Sequence, residues 1–381
     1  MDFELTEEQR MIRDTVREFA LGEIVPRARD IDEQGEFPHD LIKQMGKLGL
    51  MGLPFPEKYG GSGADSISYA LTVEEIAAAS GSVALIYNAH VSLGATPINM
   101  FGTEAQKQKW LVPLATGESL GAFALTEPQA GSDAAAMRTT ALKRDNEWVL
   151  NGQKMWITNG GVARCVVLAA KTNPDAGARG VSNFIVPTDA LGFVVGKNEP
   201  KMGMKGSVTN QLFFEDCCIP EENLLGTLNE GFKQFMIILD AGRIAVAAMA
   251  LGLGRAALEK SMAYARERHA FGRSIAEFQA IQFKLADMAM ELEAGRMLTY
   301  KAAVAKDRGE RLTKLAAMAK VFASEAAERA CSQAIQILGG MGYSREMPVE
   351  RYYRDMRLTL IGDGTSDIQR LVIARQMLKG E

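Results

Sequence analysis

Three short segments carry residue types that could do chemistry on a bound ligand. The first is Ala124-Leu125-Thr126-Glu127-Pro128-Gln129-Ala130-Gly131-Ser132-Asp133. Pro, Gly and Ser packed this closely make a loop whose N–H groups and hydroxyls can face an anionic or heteroaromatic ligand. Taken alone, a plain surface loop explains it as well or better. The second, Lys154-Met155-Trp156-Ile157-Thr158-Asn159-Gly160-Gly161, offers a flat aromatic and a hydroxyl; a core tryptophan with a turn behind it has the same pattern. The third is Gln336-Ile337-Leu338-Gly339-Gly340-Met341-Gly342-Tyr343, with Pro348 and Tyr353-Arg354-Asp355 downstream. Its glycines follow a helical run instead of joining a strand to a helix. Alone they read as a helix cap and turn, not a phosphate cradle.

The elements that must position these segments change texture twice along the chain. Residues 1–120 read as an N-terminal α-helical domain. There Thr6-Glu7-Glu8-Gln9 fits a capping box, and Ile12, Val16 and Phe19 continue the helical pattern. Loops rich in Gly and Pro at 52–56 and 60–63 precede an alanine-rich helix near 66–80.

Residues 121–225 read as a middle β domain. Glu147-Trp148-Val149-Leu150 leads into Asn151-Gly152 and then 153–158, a hairpin signal because Asn-Gly supports the positive φ angles of a tight turn. Further β-branched or aromatic runs lie at 165–168, 184–186, 193–195 and 211–214. Residues 226–381 read as a C-terminal helical bundle. Ile281, Leu285, Met288 and Leu292 recur at spacings of 4, 3 and 4, and similar patterning runs to about 337 and resumes after 365. This α+β multidomain order fits no doubly wound sheet, which disfavours a Rossmann crevice.

Composition narrows the classes further. The 381 residues are 47% hydrophobic and 24% charged, enough to bury a sizeable core. Lys and Arg number 43 against 47 Asp and Glu, so no net basic footprint points to nucleic acid. No run is expected to approach the ~18 apolar residues of a membrane span. The start, Met1-Asp2-Phe3-Glu4-Leu5, lacks the basic-then-apolar order of a secretory signal. Cys165, Cys217, Cys218 and Cys331 are too scattered for a disulfide framework, which suits a reducing, cytoplasmic compartment. Three histidines make a protein metal site unexpected.

Taken together, the three segments in this order and spacing closely resemble the acyl-CoA dehydrogenase family of flavoproteins. The resemblance runs from Thr6-Glu7-Glu8-Gln9 to Ile368-Gln369-Arg370 and is nearest to the short-chain and branched-chain members. It implies a β-barrel-like middle domain and a C-terminal four-helix bundle, FAD as cofactor, an acyl-CoA substrate, an electron-transfer flavoprotein as acceptor and a homotetramer. Phe123, Leu125, Thr126, Gly131, Ser132, Trp156, Thr158 and Thr365 would hold the flavin and its pyrophosphate, with Thr158 near N5. Hydrogen bonds of this kind raise a flavin's electron affinity. Arg268, Phe271, Gln279, Gln336 and Gly340 match positions that reach the FAD of a neighbouring subunit. Arg268 could fork a phosphate, or equally be a solvated helix charge; the hydroxyl residue usual in the family is Ala at 270. Ser132, Tyr87, His90, Asp240, Arg243 and Gly364 would border substrate, although Arg243 paired with Asp240 also suits a structural role.

The base is where the pattern departs. Ile361-Gly362-Asp363-Gly364-Thr365 stands where the family usually has Tyr-Glu-Gly-Thr. Some branched-chain members carry their Glu at the position of Gly242, which here has no side chain. Asp363 is therefore expected to be the base. Either carboxylate has a similar intrinsic pKa, so reach decides. A base shorter by one methylene, beside a glycine that replaces an aromatic, suggests an α-substituted or cyclic acyl group such as cyclohexanecarboxyl-CoA. The alternatives are a straight short-chain acyl-CoA, a diene-forming elimination on a ring with His90 in proton transfer, a nitroalkane oxidase, or a catalytically silent flavin scaffold.

Overall fold

The computed structural model describes residues 4–380. The N-terminal tripeptide, part of the leader reading, lies outside them. The chain folds as helices, then a sheet, then helices. The first helix is Glu7–Phe19, and its capping box forms as expected: Thr6 accepts from the Gln9 N–H while the Gln9 side chain accepts from the Thr6 N–H. The alanine-rich helix is Ser66–Ala79, capped by Asp65 and buried along nearly its whole length. Gly81–Asn88 follows it.

The middle region is one eight-stranded mixed sheet. Its strands are β1 (Gly121–Ala124), β2 (Thr140–Arg144), β3 (Glu147–Thr158), β4 (Cys165–Lys171), β5 (Val181–Pro187), β6 (Phe193–Asn198), β7 (Thr209–Pro220) and β8 (Leu224–Leu225). The hydrogen-bonded path runs β6-β7-β3-β2-β4-β5-β8, with β1 parallel to β4. Trp148, Leu150, Leu168, Phe184, Leu212 and Phe214 meet in a core that belongs to this sheet alone. The expected hairpin at Asn151-Gly152 is wrong. Both residues lie inside β3, and the turn is at Asp145-Asn146, where Asp145 takes a φ of 51°. Gly152 marks a bulge against β7 instead, and a Cβ there would stand 2.5 Å from Thr139 Oγ1.

Helices Gly231–Glu267, Gln279–Asp307 and Thr313–Leu338, with Val349–Met356 and Ser366–Leu378, make the C-terminal part. The first of these corrects the reading on apolar runs. It contains an 18-residue window apolar enough to cross a membrane, but 72% of that window is buried inside the protein. It is a core helix.

Two polar clusters tie the parts together. Glu74 and Glu75, buried on Ser66–Ala79, pair with Arg296 at 2.9 Å and with Arg17 at 2.7 Å, and Arg255 reaches Glu75 at 2.8 Å. Elsewhere Arg354 bonds Asp32 at 2.6 Å, Glu350 at 2.7 Å and the Met202 carbonyl at 3.2 Å. Its neighbour Asp355, fully enclosed, accepts the Met204 N–H.

Candidate active site

Asp363 sits on a turn between the short helix Arg357–Leu360 and Ser366–Leu378. It holds a φ of 54° and Gly364 one of 91°, so two successive residues are left-handed. For a non-glycine residue that conformation is uncommon and stores strain. The turn is fixed from behind through its carbonyls. Gln369 Nε2 donates to the Asp363 and Gly364 oxygens at 3.0 and 3.1 Å, and Lys320 Nζ donates to Gly364 O at 2.8 Å. Arg243 Nε reaches Asp363 O at 3.5 Å.

The carboxylate itself is left free. Asp363 Oδ2 is buried and has no hydrogen-bond partner. A Cβ added at Gly242 would stand 3.1 Å from it, so the acid from the turn lies against the helix position that is empty of a side chain. Burial pushes the Asp363 carboxyl above the usual carboxylate range, while the charges of Lys320 and Arg243 oppose that rise. Asp240 bonds Arg243 and accepts from Thr313 Oγ1 at 2.6 Å. The Arg243–Asp240 pair thus backs the turn as a unit, and Gly364 leaves room for Gln369, whose Nε2 a Cβ would approach to 2.5 Å.

Two expected substrate contacts are corrected. His90 is fully buried with both ring nitrogens engaged: Nδ1 accepts the Gly121 N–H at 3.0 Å, so Nε2 carries the proton and donates to Leu114 O at 3.0 Å. Burial lowers its pKa to about 4, leaving it neutral, and it fastens β1 to the helices. Tyr87 is equally enclosed, its hydroxyl spent on Leu50 O at 3.0 Å and its ring against Tyr69. Tyr69, which the sequence reading passed over, is the tyrosine whose surroundings include the Asp363 charge.

The second face is built by β3 and the loop after β1. The β3–β7 register shifts again between Lys154 and Ile157, and there Trp156 adopts a φ of 63° with half its surface exposed. A bulky residue in that conformation is an outlier, and here it lifts a flat aromatic off the strand. Thr158 is half-buried two residues on. Met155 N–H donates to Thr126 O at 2.9 Å, setting the Leu125-Thr126 backbone alongside. Beneath them Lys154 Nζ donates to Leu125 O at 2.9 Å and to Glu127 Oε1 at 2.8 Å, both side chains buried. Glu127 also accepts from the Thr139 and Arg138 N–H groups and from Gln129, which folds the loop over to expose Gly131 and Ser132. Phe123 points elsewhere, edge-on to Phe235 at 4.3 Å between centroids.

The residues expected to reach a neighbouring subunit lie on the outside of the chain. Arg268 precedes a two-stranded ribbon, His269–Ala270 with Arg273–Ser274, whose tip residues Phe271 and Gly272 both have positive φ. That turn leaves Phe271 96% exposed. Gln279, Gln336 and Gly340 are exposed as well, and Gly339 ends the Thr313–Leu338 helix with a φ of 60° as its sequence suggests. Thr365 caps Ser366–Leu378, its hydroxyl accepting the Ile368 N–H at 3.3 Å.

An outward aromatic on a strained bulge, a hydroxyl beside it and an exposed Gly-Ser loop fit a flavin. The unpartnered acid fits a proton acceptor. The chain is similar to known proteins over its whole length. The N-terminal, middle and C-terminal domain profiles of acyl-CoA dehydrogenases match residues 6–118, 122–217 and 229–378. A probable acyl-CoA dehydrogenase of Bacillus subtilis is 56% identical over 380 residues, covering 100% of both chains. The butyryl-CoA dehydrogenase structure from Megasphaera elsdenii superimposes with a TM-score of 0.98 at 46% identity, covering 99% of this chain and 100% of that one. A glutaryl-CoA dehydrogenase of Mycobacterium smegmatis in complex with FADH2 gives 0.94 at 32% identity, covering 99% and 96%.

Proposed function

The chain belongs to the acyl-CoA dehydrogenase family, and from that premise we propose which acid and which acyl group it uses. It is an FAD-dependent oxidoreductase acting on CH–CH donors. Asp363 is the base, and the observation that carries this is its buried, unpartnered Oδ2 against Gly242. Asp363 takes the α proton as the α C–H bond breaks, and that electron pair becomes the new double bond. Bound FAD supplies the acceptor for the hydride leaving the β carbon. The Asp363 N–H stabilises charge on the thioester oxygen, while Arg243 and Asp240 hold the turn from behind.

The same turn also bears on the size and shape of the acyl group. Gly362 carries no side chain, and a Cβ there would meet nothing nearer than Leu358, at 3.4 Å. Such room beside a shortened base favours a short acyl group branched or cyclic at the α carbon, with a cyclohexanecarboxyl thioester first. A straight butyryl thioester is the second reading, favoured by the named activity of the Megasphaera elsdenii relative.

Leu125, Thr126, Trp156 and Thr158 bind the isoalloxazine, and Gly131 and Ser132 the pyrophosphate. Phe123 supports that loop from the core, and Thr365 acts through its helix cap. Arg268, Phe271, Gln279, Gln336 and Gly340, all exposed, serve the FAD of a neighbour in a homotetramer. Electrons pass to an electron-transfer flavoprotein. Four free cysteines suit a reducing cytoplasm.

Anaerobic flavin bleaching with cyclohexanecarboxyl-, isobutyryl-, 2-methylbutyryl- and butyryl-CoA tests the reading. Bleaching should be fastest with the ring or branched esters and fall by about 10²–10⁴-fold in Asp363→Asn. Full bleaching in that variant would remove Asp363 as base. A response to nitroethane but to no thioester would reassign the enzyme.

A further inference from the structure

Lys320 is a lysine that the dehydrogenation as described does not use, yet it is fully buried. It lies on the apolar face of Thr313–Leu338, among Ala316, Ala317, Ala319 and Ala323, all of them buried. A buried ammonium is stable only where its protons find acceptors and its charge a counter-charge. Its bond is to a backbone oxygen, Gly364 O at 2.8 Å, one residue past the base. The opposing charge is the Asp363 carboxylate, whose Oδ2 stays without a hydrogen-bond partner.

We propose that Lys320 is a positioning residue for the dehydrogenation: it clamps the Asp363-Gly364 turn by its carbonyl and favours the ionised base by charge alone, leaving the carboxylate unbonded. The inference rests on Asp363 being the base. A direct lysine–carboxylate hydrogen bond would also favour the anion, but it would compete with the substrate proton for the same lone pairs. Bonding the neighbouring carbonyl separates the two effects. The groups facing Asp363 are Lys320 from one helix, Arg243 (itself paired with Asp240) from Gly231–Glu267, and Tyr69 from Ser66–Ala79. Lys320 itself faces Asp363, Arg243 and Glu325, and burial brings its pKa down to about 8.

The test uses the FAD-loaded enzyme, with butyryl-CoA as probe and the pH profile of anaerobic bleaching as readout. In Lys320→Met the acid inflection should move up by about one pH unit or more, because an opposing charge is lost. The plateau should fall by about tenfold as the turn loosens. Lys320→Arg should keep the inflection while lowering the plateau. Carboxyl infrared bands followed against pH without substrate, with Asp363→Asn to assign the band, should show the same upward move. An unmoved inflection and band in Lys320→Met overturn the charge role, and an unchanged plateau in Lys320→Arg overturns the clamp. If Lys320→Met fails to retain FAD, its apoprotein's infrared titration and the Lys320→Arg plateau still decide. Bleaching retained in Asp363→Asn would instead strike the base assignment on which the inference rests.

Discussion

Two buried lysines, each near a carboxylate and each holding a carbonyl, end in different roles. Lys154 donates both to Leu125 O and to Glu127, and Glu127 is saturated by two backbone N–H groups and Gln129 besides. Lys320 donates to Gly364 O, and the acid beside it keeps an empty oxygen. A fully satisfied buried pair fixes geometry. One left short of a partner holds an acceptor ready for a proton, at a cost in stability that the surrounding fold must carry. His90 stands with the first kind: it is titratable, buried and satisfied at both nitrogens.

The largest effect should come from breaking the satisfied pair. Lys154→Met leaves Glu127 buried without its cation, which should cost about 3–5 kcal/mol in urea unfolding and loosen FAD. Adding Glu127→Gln should recover part of that loss; no recovery would mean the pair is not the unit described. Next, satisfying the free acid should sharpen the contrast. Gly242→Ser brings a hydroxyl to Asp363 Oδ2, where even a Cβ stands at 3.1 Å. The expected result is bleaching slowed about tenfold, or ~1.4 kcal/mol, with stability kept. Unaltered bleaching would show that the proton goes elsewhere. The smallest effect is silent at neutral pH. His90 stays neutral in the fold, with a pKa lowered from 6.5 to about 4 by burial, so unfolding alone lets it bind a proton between those values. Its stabilisation is complete above pH 6.5 and is lost as pH falls toward 4. Urea midpoints of the wild type should drop over that window, and those of His90→Asn should drop less; parallel curves would refute the structural role.

Much of this was legible in the residues. The capping box at Thr6, the 66–80 helix and the four β-branched runs all lie where their patterns put them. The Asn-Gly pair misled because its turn preference is local, whereas β3 runs on through it, with Asn151 paired to Thr140 of β2, a bulge taking up the register against β7, and Thr139 packed into the space of a missing Cβ. The aromatic at 156 and the acid at 363 could be named from their segments. Of their supports, the Arg243–Asp240 pair could be named as well, but Lys154, Lys320 and Gln369 could not. Lys320 looks like one more solvated charge in an alanine-rich helix until its position on the apolar face is counted. His90 drew attention because its segment borders the acyl pocket in the family the chain resembles, and the Leu114 and Gly121 backbone groups around it decide its job.

The clasp at Arg354 and Asp355 reaches Asp32 in the first helical part and the 202–204 loop between β6 and β7. A β module borrowed from a cousin would have to arrive with that loop already in register, or strand a guanidinium and an acid in the interior. Exchange of whole modules is thereby discouraged. Within the 361–364 turn, position 362 has a Cβ's room, with nothing nearer than Leu358 O at 3.4 Å, and diversification of the acyl pocket has its easiest path there.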